Sequence, residues 1–277
     1  MEYTELICQP AKGSHSSDLL VALLADCGFE SFTENDNGSI SAYIPANDFT
    51  PVLVQRLKSA EFAGCLLSFE SNSIADQNWN AVWESQYDPV TIEGRCLVRA
   101  PFHQPVSGIE YDIVIMPKMS FGTAHHETTK LMIQYLLSLQ ISGKSLLDMG
   151  SGTAVLAILA RMKGAEPVTA IDNDEWAYHN AVENVQSNNF DDISVFLGDS
   201  ALLSGKTFDI ILANINRNIL LNDIPVYRKS LNPGGKLFMS GFYSEDLPLI
   251  EAKAIENGLL LLSHRIENNW TAACFSL

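Results

Sequence analysis

Chemistry concentrates first in Leu146-Leu147-Asp148-Met149-Gly150-Ser151-Gly152-Thr153-Ala154. An apolar strand that enters a glycine-rich turn and leaves as a helix sets that turn in the ligand crevice of an open α/β sheet. Gly150 and Gly152 let the backbone pass close to a ligand there. Asp148, just ahead of the turn, offers a carboxylate that suits a ligand carrying an ammonium group and repels a pyrophosphate. The third glycine of the dinucleotide fingerprint is absent, since Val155 holds its place. Asp172 ends the next apolar run, where a carboxylate can accept hydrogen bonds from both hydroxyls of a ribose. Asp199 follows the third run, placed for an adenine amino group.

A second group of residues suits the reacting end. Phe208-Asp209-Ile210-Ile211-Leu212-Ala213-Asn214 reads as a strand ending at Asn214, whose carbonyl can accept a hydrogen bond from an amine. Such a contact can aim the nitrogen lone pair at an electrophilic group bound in the crevice, a contribution made by positioning. Phe121-Gly122-Thr123-Ala124-His125-His126-Glu127-Thr128-Thr129 lies ahead of these strands. Thr128 or Thr129 is expected to cap a helix through Leu131, Ile133 and Leu136, or to touch the ligand. His126-Glu127 begins an HExxH pattern, but the closing position is Lys130, so no metal site is expected. His125 and His126 keep a secondary role in proton relay or substrate contact.

These residues need a scaffold, and the hydrophobic pattern supplies one. Apolar runs at residues 145–149, 168–171, 193–197, 210–213, 236–240, 259–264 and 271–275 alternate with helical segments, which predicts a parallel sheet covered on both faces. Leu231-Asn232-Pro233-Gly234-Gly235 reads as a structural turn before the fifth strand. The first 70 or so residues read β-α-β-β-α-β, a ferredoxin-like unit. Its first helix starts at Ser16-Ser17-Asp18, its hairpin turns at Asn35-Asp36-Asn37-Gly38, and its second helix is capped by Asn47-Asp48. Trp79 and Trp83 share one face of an expected linker helix over 74–86, and strands follow between 90 and 116. The predicted division is a ferredoxin-like domain at 1–72, a linker helix and connector at 73–95, and a Rossmann-like, seven-stranded domain at 96–277.

Composition narrows the setting. The 277 residues are 47% apolar and 18% charged, enough for a sizeable core. No apolar run approaches the roughly 20 residues of a membrane span. The opening residues carry no basic and apolar leader, so a cytoplasmic location away from membranes is expected. Five scattered cysteines without a CxxC pair read as reduced thiols. A net charge of −16 disfavours a grip on nucleic-acid phosphates and favours a basic partner.

The glycine loop, the acidic end of the second strand and the Pro-Gly-Gly turn resemble Rossmann-like methyltransferases. A closer resemblance covers almost the whole chain. Trp79-Asn80-Ala81-Val82-Trp83, Phe121-Gly122-Thr123, His125-His126-Glu127-Thr128-Thr129, Leu147-Asp148-Met149-Gly150-Ser151-Gly152, Ile171-Asp172-Asn173-Asp174, Ala213-Asn214-Ile215 and Ser240-Gly241 are similar to the PrmA family of ribosomal-protein lysine methyltransferases. That resemblance implies S-adenosylmethionine as cofactor. It also implies methyl transfer to lysine ε-amines and the N-terminal α-amine of a basic large-subunit ribosomal protein, which the front domain recognises. By position it assigns Thr129, Gly150, Asp172 and Asn214 to the cofactor. The expected site is thus Asn214 for catalysis, with Thr129, Asp148, Gly150, Gly152, Asp172, Asp199 and Asn214 for the cofactor, in a monomer. One departure is Ala124, where the family usually has glycine; if φ is positive there, alanine strains the loop by roughly 1 kcal/mol or more. Rival readings are a methyltransferase acting on RNA or on protein glutamine, a nicotinamide-dependent dehydrogenase, and a cofactor-binding protein without catalysis. The missing Pro-Pro after Asn214 weakens the first, and Asp148 with the missing third glycine weakens the second.

Overall fold

The computed structural model describes residues 2–11, 16–59, 62, 64–74, 87–118 and 120–277, and structural statements concern those residues. Contacts within the chain divide it between Tyr87 and Asp88.

The front unit runs β1 (Tyr3–Pro10), α1 (Ser16–Asp26), β2 (Ser31–Glu34), β3 (Ile40–Pro45), α2 (Pro51–Leu57) and β4 (Leu66–Ile74). Its sheet has the order β2-β3-β1-β4, with β3 and β4 both antiparallel to β1. This is the ferredoxin-like arrangement that the element order predicts. Period-2 alternation sends Leu6 and Cys8 of β1 and Ala42 and Ile44 of β3 into a core with Leu20, Leu24, Leu53 and Leu57. The second helix starts later than Asn47-Asp48. Thr50 is its cap, its hydroxyl accepting from Leu53 N at 3.3 Å, and Pro51 follows as the first helical residue. Proline fits there because its fixed φ suits the helix and no N–H is needed. Ile74 closes β4, and the rest of the expected linker helix, with Trp79 and Trp83, lies outside the described residues.

The rear unit opens with a small sheet of β5 (Val90–Ile92), β6 (Cys96–Arg99) and β7 (Tyr111–Val114), in which β6 and β7 are parallel. Then follow α3 (Glu127–Ser138), β8 (Leu146–Met149), α4 (Val155–Met162), β9 (Val168–Asp172), α5 (Glu175–Ser187), β10 (Ile193–Leu197), β11 (Phe208–Asn214), α6 (Arg217–Lys229), β12 (Leu231–Tyr243), α7 (Leu247–Glu256), β13 (Leu260–Glu267) and β14 (Trp270–Ser276). The large sheet has the order β10-β9-β8-β11-β12-β14-β13. β14 alone runs against the others, antiparallel to β12 on one side and β13 on the other. Alternate residues feed two cores. Leu146, Ile210 and Leu212 pack on one face with α3 and α4, and Leu147, Ile211 and Ala213 pack on the other with α6 and α7. Each fully buried leucine contributes about 1.5–3 kcal/mol relative to exposure.

After β8 the chain builds outward through β9 and β10, then returns to β8's other side at β11. The carboxyl ends of β8 and β11 therefore flank the crevice that a doubly wound sheet opens where its strand order reverses. The Pro-Gly-Gly segment is a bulge inside β12 rather than a turn ahead of it. Leu231 pairs with Phe208, and pairing resumes with Lys236 opposite Ile210.

Ala124 has φ +64° and is fully buried, and Ala154, which precedes α4, has φ +62°. Ala124 thus meets the condition for strain. In Ala124→Gly, relief of about 1 kcal/mol of backbone strain opposes loss of a buried methyl worth about 0.8 kcal/mol. Chemical denaturation should show stability within about 1 kcal/mol of the parent, and methyl transfer should be kept or raised; a large fall in turnover would count against this account of the loop.

Candidate active site

The crevice is assembled mostly by main-chain contacts. Gly150 N and Ser151 N both donate to Ile171 O, at 2.8 and 3.1 Å, so the glycine loop is tied to the end of β9. Gly152 N donates to Asp172 Oδ2 at 2.8 Å, and Asp174 N donates to Oδ1 at 3.0 Å. On the loop's other side Thr153 N donates to Phe121 O at 2.9 Å and Thr153 Oγ1 to Gly122 O at 2.7 Å. Both glycines have positive φ. A Cβ on Gly150 would lie 2.1 Å from Ile215 Cγ2, and one on Gly152 would lie 2.2 Å from Phe121 O. Only glycine satisfies both the conformation and the approach.

A cavity of about 920 Å³ opens over this loop, and its walls include Gly150, Gly152, Asp172, Asn214, His126 and Trp270. That volume matches the upper range of small-molecule and cofactor sites. Four of the residues expected from sequence therefore meet at one surface. Thr129 stands behind Asn214, and Asn214 Nδ2 donates to its Oγ1 at 3.4 Å. Asp148 also stands behind the wall, 1% exposed, with Oδ2 accepting from Ala157 N at 3.1 Å. Asp199 is outside the walls and uses Oδ1 to cap a short 3-10 helix through Ala201 N at 2.8 Å.

Five buried side-chain oxygens lack a hydrogen-bond partner among the described residues, and three of them belong to this region: Asp148 Oδ1, Ser151 Oγ and Asn214 Oδ1. An unmet buried polar group costs about 1–3 kcal/mol, so such a cluster marks a place that a polar ligand completes. Acceptors predominate, which fits a ligand or substrate that brings N–H donors. Burial pushes the Asp148 carboxyl up to about 8; the hydrogen bond from Ala157 N opposes the rise, and the charge of Asp172 adds to it. A cation placed nearby reverses that balance. The residues present thus fit a cofactor bearing an ammonium and a ribose.

Several parts of the site were not expected. His126, and not Thr128 or Thr129, caps α3: its Nδ1 accepts from Thr128 N at 3.3 Å and lies 2.9 Å from Thr128 Oγ1. Both threonines fall inside the first turn, where they cannot serve as the cap. His126 also joins a wall of rings, with centroids 5.1 Å from Phe121 and 4.7 Å from Trp270, and Tyr243 stacks 4.2 Å beyond Trp270. His125 instead holds its loop, with Nδ1 3.1 Å from Thr123 Oγ1 and Nε2 2.9 Å from Asp88 O. No local signal marks Trp270, which reaches the crevice because β14 inserts beside β12. Among the described residues no three His, Cys, Asp or Glu side chains gather as a metal-ligand set.

Comparison with known proteins agrees with this geometry. The family model described as ribosomal protein L11 methyltransferase (PrmA) matches residues 10–276. The chain is 47% identical over 264 residues to the ribosomal protein L11 methyltransferase of Bacteroides fragilis, covering 94% of each chain. Identity to the protein of that name from Chlorobaculum parvum is 39% over 246 residues, covering 84% of this chain and 83% of that one. The crystal structure of a ribosomal protein L11 methylase from Lactobacillus delbrueckii subsp. bulgaricus aligns with a TM-score of 0.64 and 28% identity, over 69% of this chain and 98% of that one.

The Asp148 carboxyl yields a pH test. Its pKa of about 8 in the folded chain exceeds the ordinary 3.8. Between those values the unfolded chain is ionised while the folded one holds a proton, so stability falls as pH rises through this window. In ligand-free protein, Asp148→Asn should therefore gain thermal stability over the parent progressively from about pH 5 to about pH 8. A constant difference across that range would mean that Asp148 is not buried and protonated as described.

Proposed function

The chain belongs to the ribosomal protein L11 methyltransferase (PrmA) family, and from that premise we propose that it moves methyl groups from S-adenosylmethionine to lysine ε-amines and the N-terminal α-amine of the ribosomal protein L11. The observation that carries the proposal is Asn214 at the end of β11, on the cavity wall, with its Oδ1 buried and without a partner.

In this reading the Gly150 and Gly152 backbone and the Asp172 carboxylate hold the nucleoside part of the cofactor. Asp148 counters its ammonium from behind the loop, and Asp199 makes an outer contact to the adenine amino group. When bound, the cofactor supplies a methyl group activated by a sulfonium. The chain's own task is to present a neutral amine. A free lysine has a pKa near 10.4, so only about 0.04% is neutral at pH 7. Asn214 Oδ1 accepts one N–H of the amine and fixes its direction, and Thr129 fixes Asn214. His126 accepts at Nδ1 in the helix cap, so its neutral ring carries the proton on Nε2 and takes none from the amine; the displaced proton leaves through water. The rings of Phe121, His126 and Trp270 shelter the aliphatic stem of the lysine and exclude water.

The net charge of −16 favours a basic protein as substrate. The front unit is assigned to recognition of that substrate, and the enzyme is taken to act as a monomer in the cytoplasm; no helix among the described residues is long and apolar enough to cross a membrane. Asn214 is followed by Ile215-Asn216 rather than Pro-Pro, which speaks against transfer to RNA bases or glutamine.

Label transfer from S-adenosylmethionine to ribosomal protein from cells lacking the enzyme tests this reading, with mass spectrometry to locate the label. Lysine and N-terminal label on L11 is expected; label confined to RNA, or none, would remove the substrate assignment. Asn214→Ala should cut transfer by about 10- to 100-fold, the usual weight of a positioning contact.

A further inference from the structure

Two asparagines of α5 and the asparagine that ends it do something the mechanism above does not use. Asn180, Asn184 and Asn188 recur every four residues, which puts them on one face of the helix. All three are at least nine-tenths buried. They face the free edge of β7 and its continuation. Asn188 makes a complete rung: its Oδ1 accepts from Val114 N at 2.9 Å and its Nδ2 donates to Val114 O at 2.7 Å. Asn184 makes the next: its Oδ1 accepts from Met116 N at 2.8 Å, while its Nδ2 donates to Thr153 O at 3.1 Å.

The match has a geometric cause. Four helical residues rise about 6 Å, and two strand residues rise about 6.6–6.8 Å. Asparagines four apart on a helix can therefore serve as a surrogate strand for alternate residues of an extended segment. Running antiparallel, 188 meets 114 and 184 meets 116, so the register assigns 180 to Lys118.

That third rung is open. Asn180 Nδ2 reaches back to Met116 O at a long 3.4 Å, and its Oδ1 is buried with no partner. The Lys118 main-chain N–H is engaged by no described residue, although the Lys118 side chain already pairs with Glu183 of the same helix. Lys118, Ser120 and Phe121 all line the cavity, and Phe121 O holds Thr153 of the glycine loop. The ladder thus runs from the small sheet to the mouth of the cavity, and Asn184 fastens it to the glycine loop on the way.

We propose that Asn180, Asn184 and Asn188 are positioning residues for the cofactor, and that Asn180 Oδ1 accepts the Lys118 main-chain N–H in the ligand-bound enzyme, seating Lys118, Ser120 and Phe121 at the cavity wall. The inference rests on the reading of the cavity as the S-adenosylmethionine site. Closing the third rung stabilises only the bound state, so Asn180 contributes to affinity and not to the stability of the free protein. In the free protein Asn180 Oδ1 makes no hydrogen bond with a described residue and Nδ2 makes only the long one to Met116 O, so replacing this side chain by an apolar one of similar size removes little folding energy.

The test combines calorimetry with S-adenosylhomocysteine and hydrogen exchange at the peptide containing Lys118. In the parent enzyme the ligand should slow exchange at the Lys118 amide. Asn180→Leu should keep the thermal stability of the free protein, bind S-adenosylhomocysteine about tenfold more weakly, and lose the added protection. Asn188→Leu, which breaks a rung already closed, should instead lower the stability of the free protein. Parent-like affinity and protection in Asn180→Leu would overturn the proposal. So would a parent enzyme that binds the ligand without slowing exchange at Lys118, a measurement that needs no variant to fold. A parent enzyme that binds no S-adenosylhomocysteine would overturn the reading of the cavity itself, and this inference with it.

Discussion

Two main-chain N–H groups converge on the Asp172 carboxylate, and the site is organised around that convergence. One comes from Gly152 in the loop after β8, the other from Asp174 at the start of α5. The carboxylate thereby joins the ends of two strands and the beginning of a helix. It does so only because Gly152 carries no Cβ to meet Phe121 O, and because Gly150 leaves room for Ile215. A loop held this closely on three sides has few ways to relax, which is the condition for a preorganised ligand site.

Fixing the loop has a cost in the ligand-free protein. Asp148, Ser151 and Asn214 each bury an oxygen that no described residue satisfies. Ala124 and Ala154 hold left-handed backbone without being glycine. Natural folds tolerate such features where a ligand or substrate supplies the missing partner. The large apolar sheet, with cores on both faces, offsets them.

How far the sequence reaches follows from the range of the interactions involved. The five inner strands of the large sheet are legible because burial on both faces leaves apolar runs separated by helical periods, while the edge strands β10 and β13 keep apolar runs although they are largely exposed. The glycine loop, Asp172 and Asn214 were legible because strand ends in a doubly wound sheet have a known place relative to its crevice. What failed was local in sequence but decided by side-chain reach. His126 took the cap from two threonines, Thr50 took it from Asn47-Asp48, and Pro-Gly-Gly became a bulge once Lys236 paired with Ile210. Trp270 and the asparagine ladder were illegible for a different reason. Their roles depend on which strand or segment lies next to them, and composition records no neighbours. The charge of Asp148 is legible in the sequence, yet its place behind the wall depends on a bond from Ala157 N in the following helix.

The insertion of β14 between β12 and β13 bears on how the molecule comes into being. A ribosome delivers β13 before β14, but β13 touches the sheet only through β14. Until β14 emerges, β13 has no strand of the sheet to pair with and β12 presents a bare edge. Trp270 is the first residue of β14, so it takes its seat on the cavity wall in the same event. A nascent chain halted before that strand already encodes the glycine loop, Asp172 and Asn214, while one side of its cavity is still unbuilt. Completion of the sheet and completion of the pocket are one step, which keeps half-made copies from presenting a finished site.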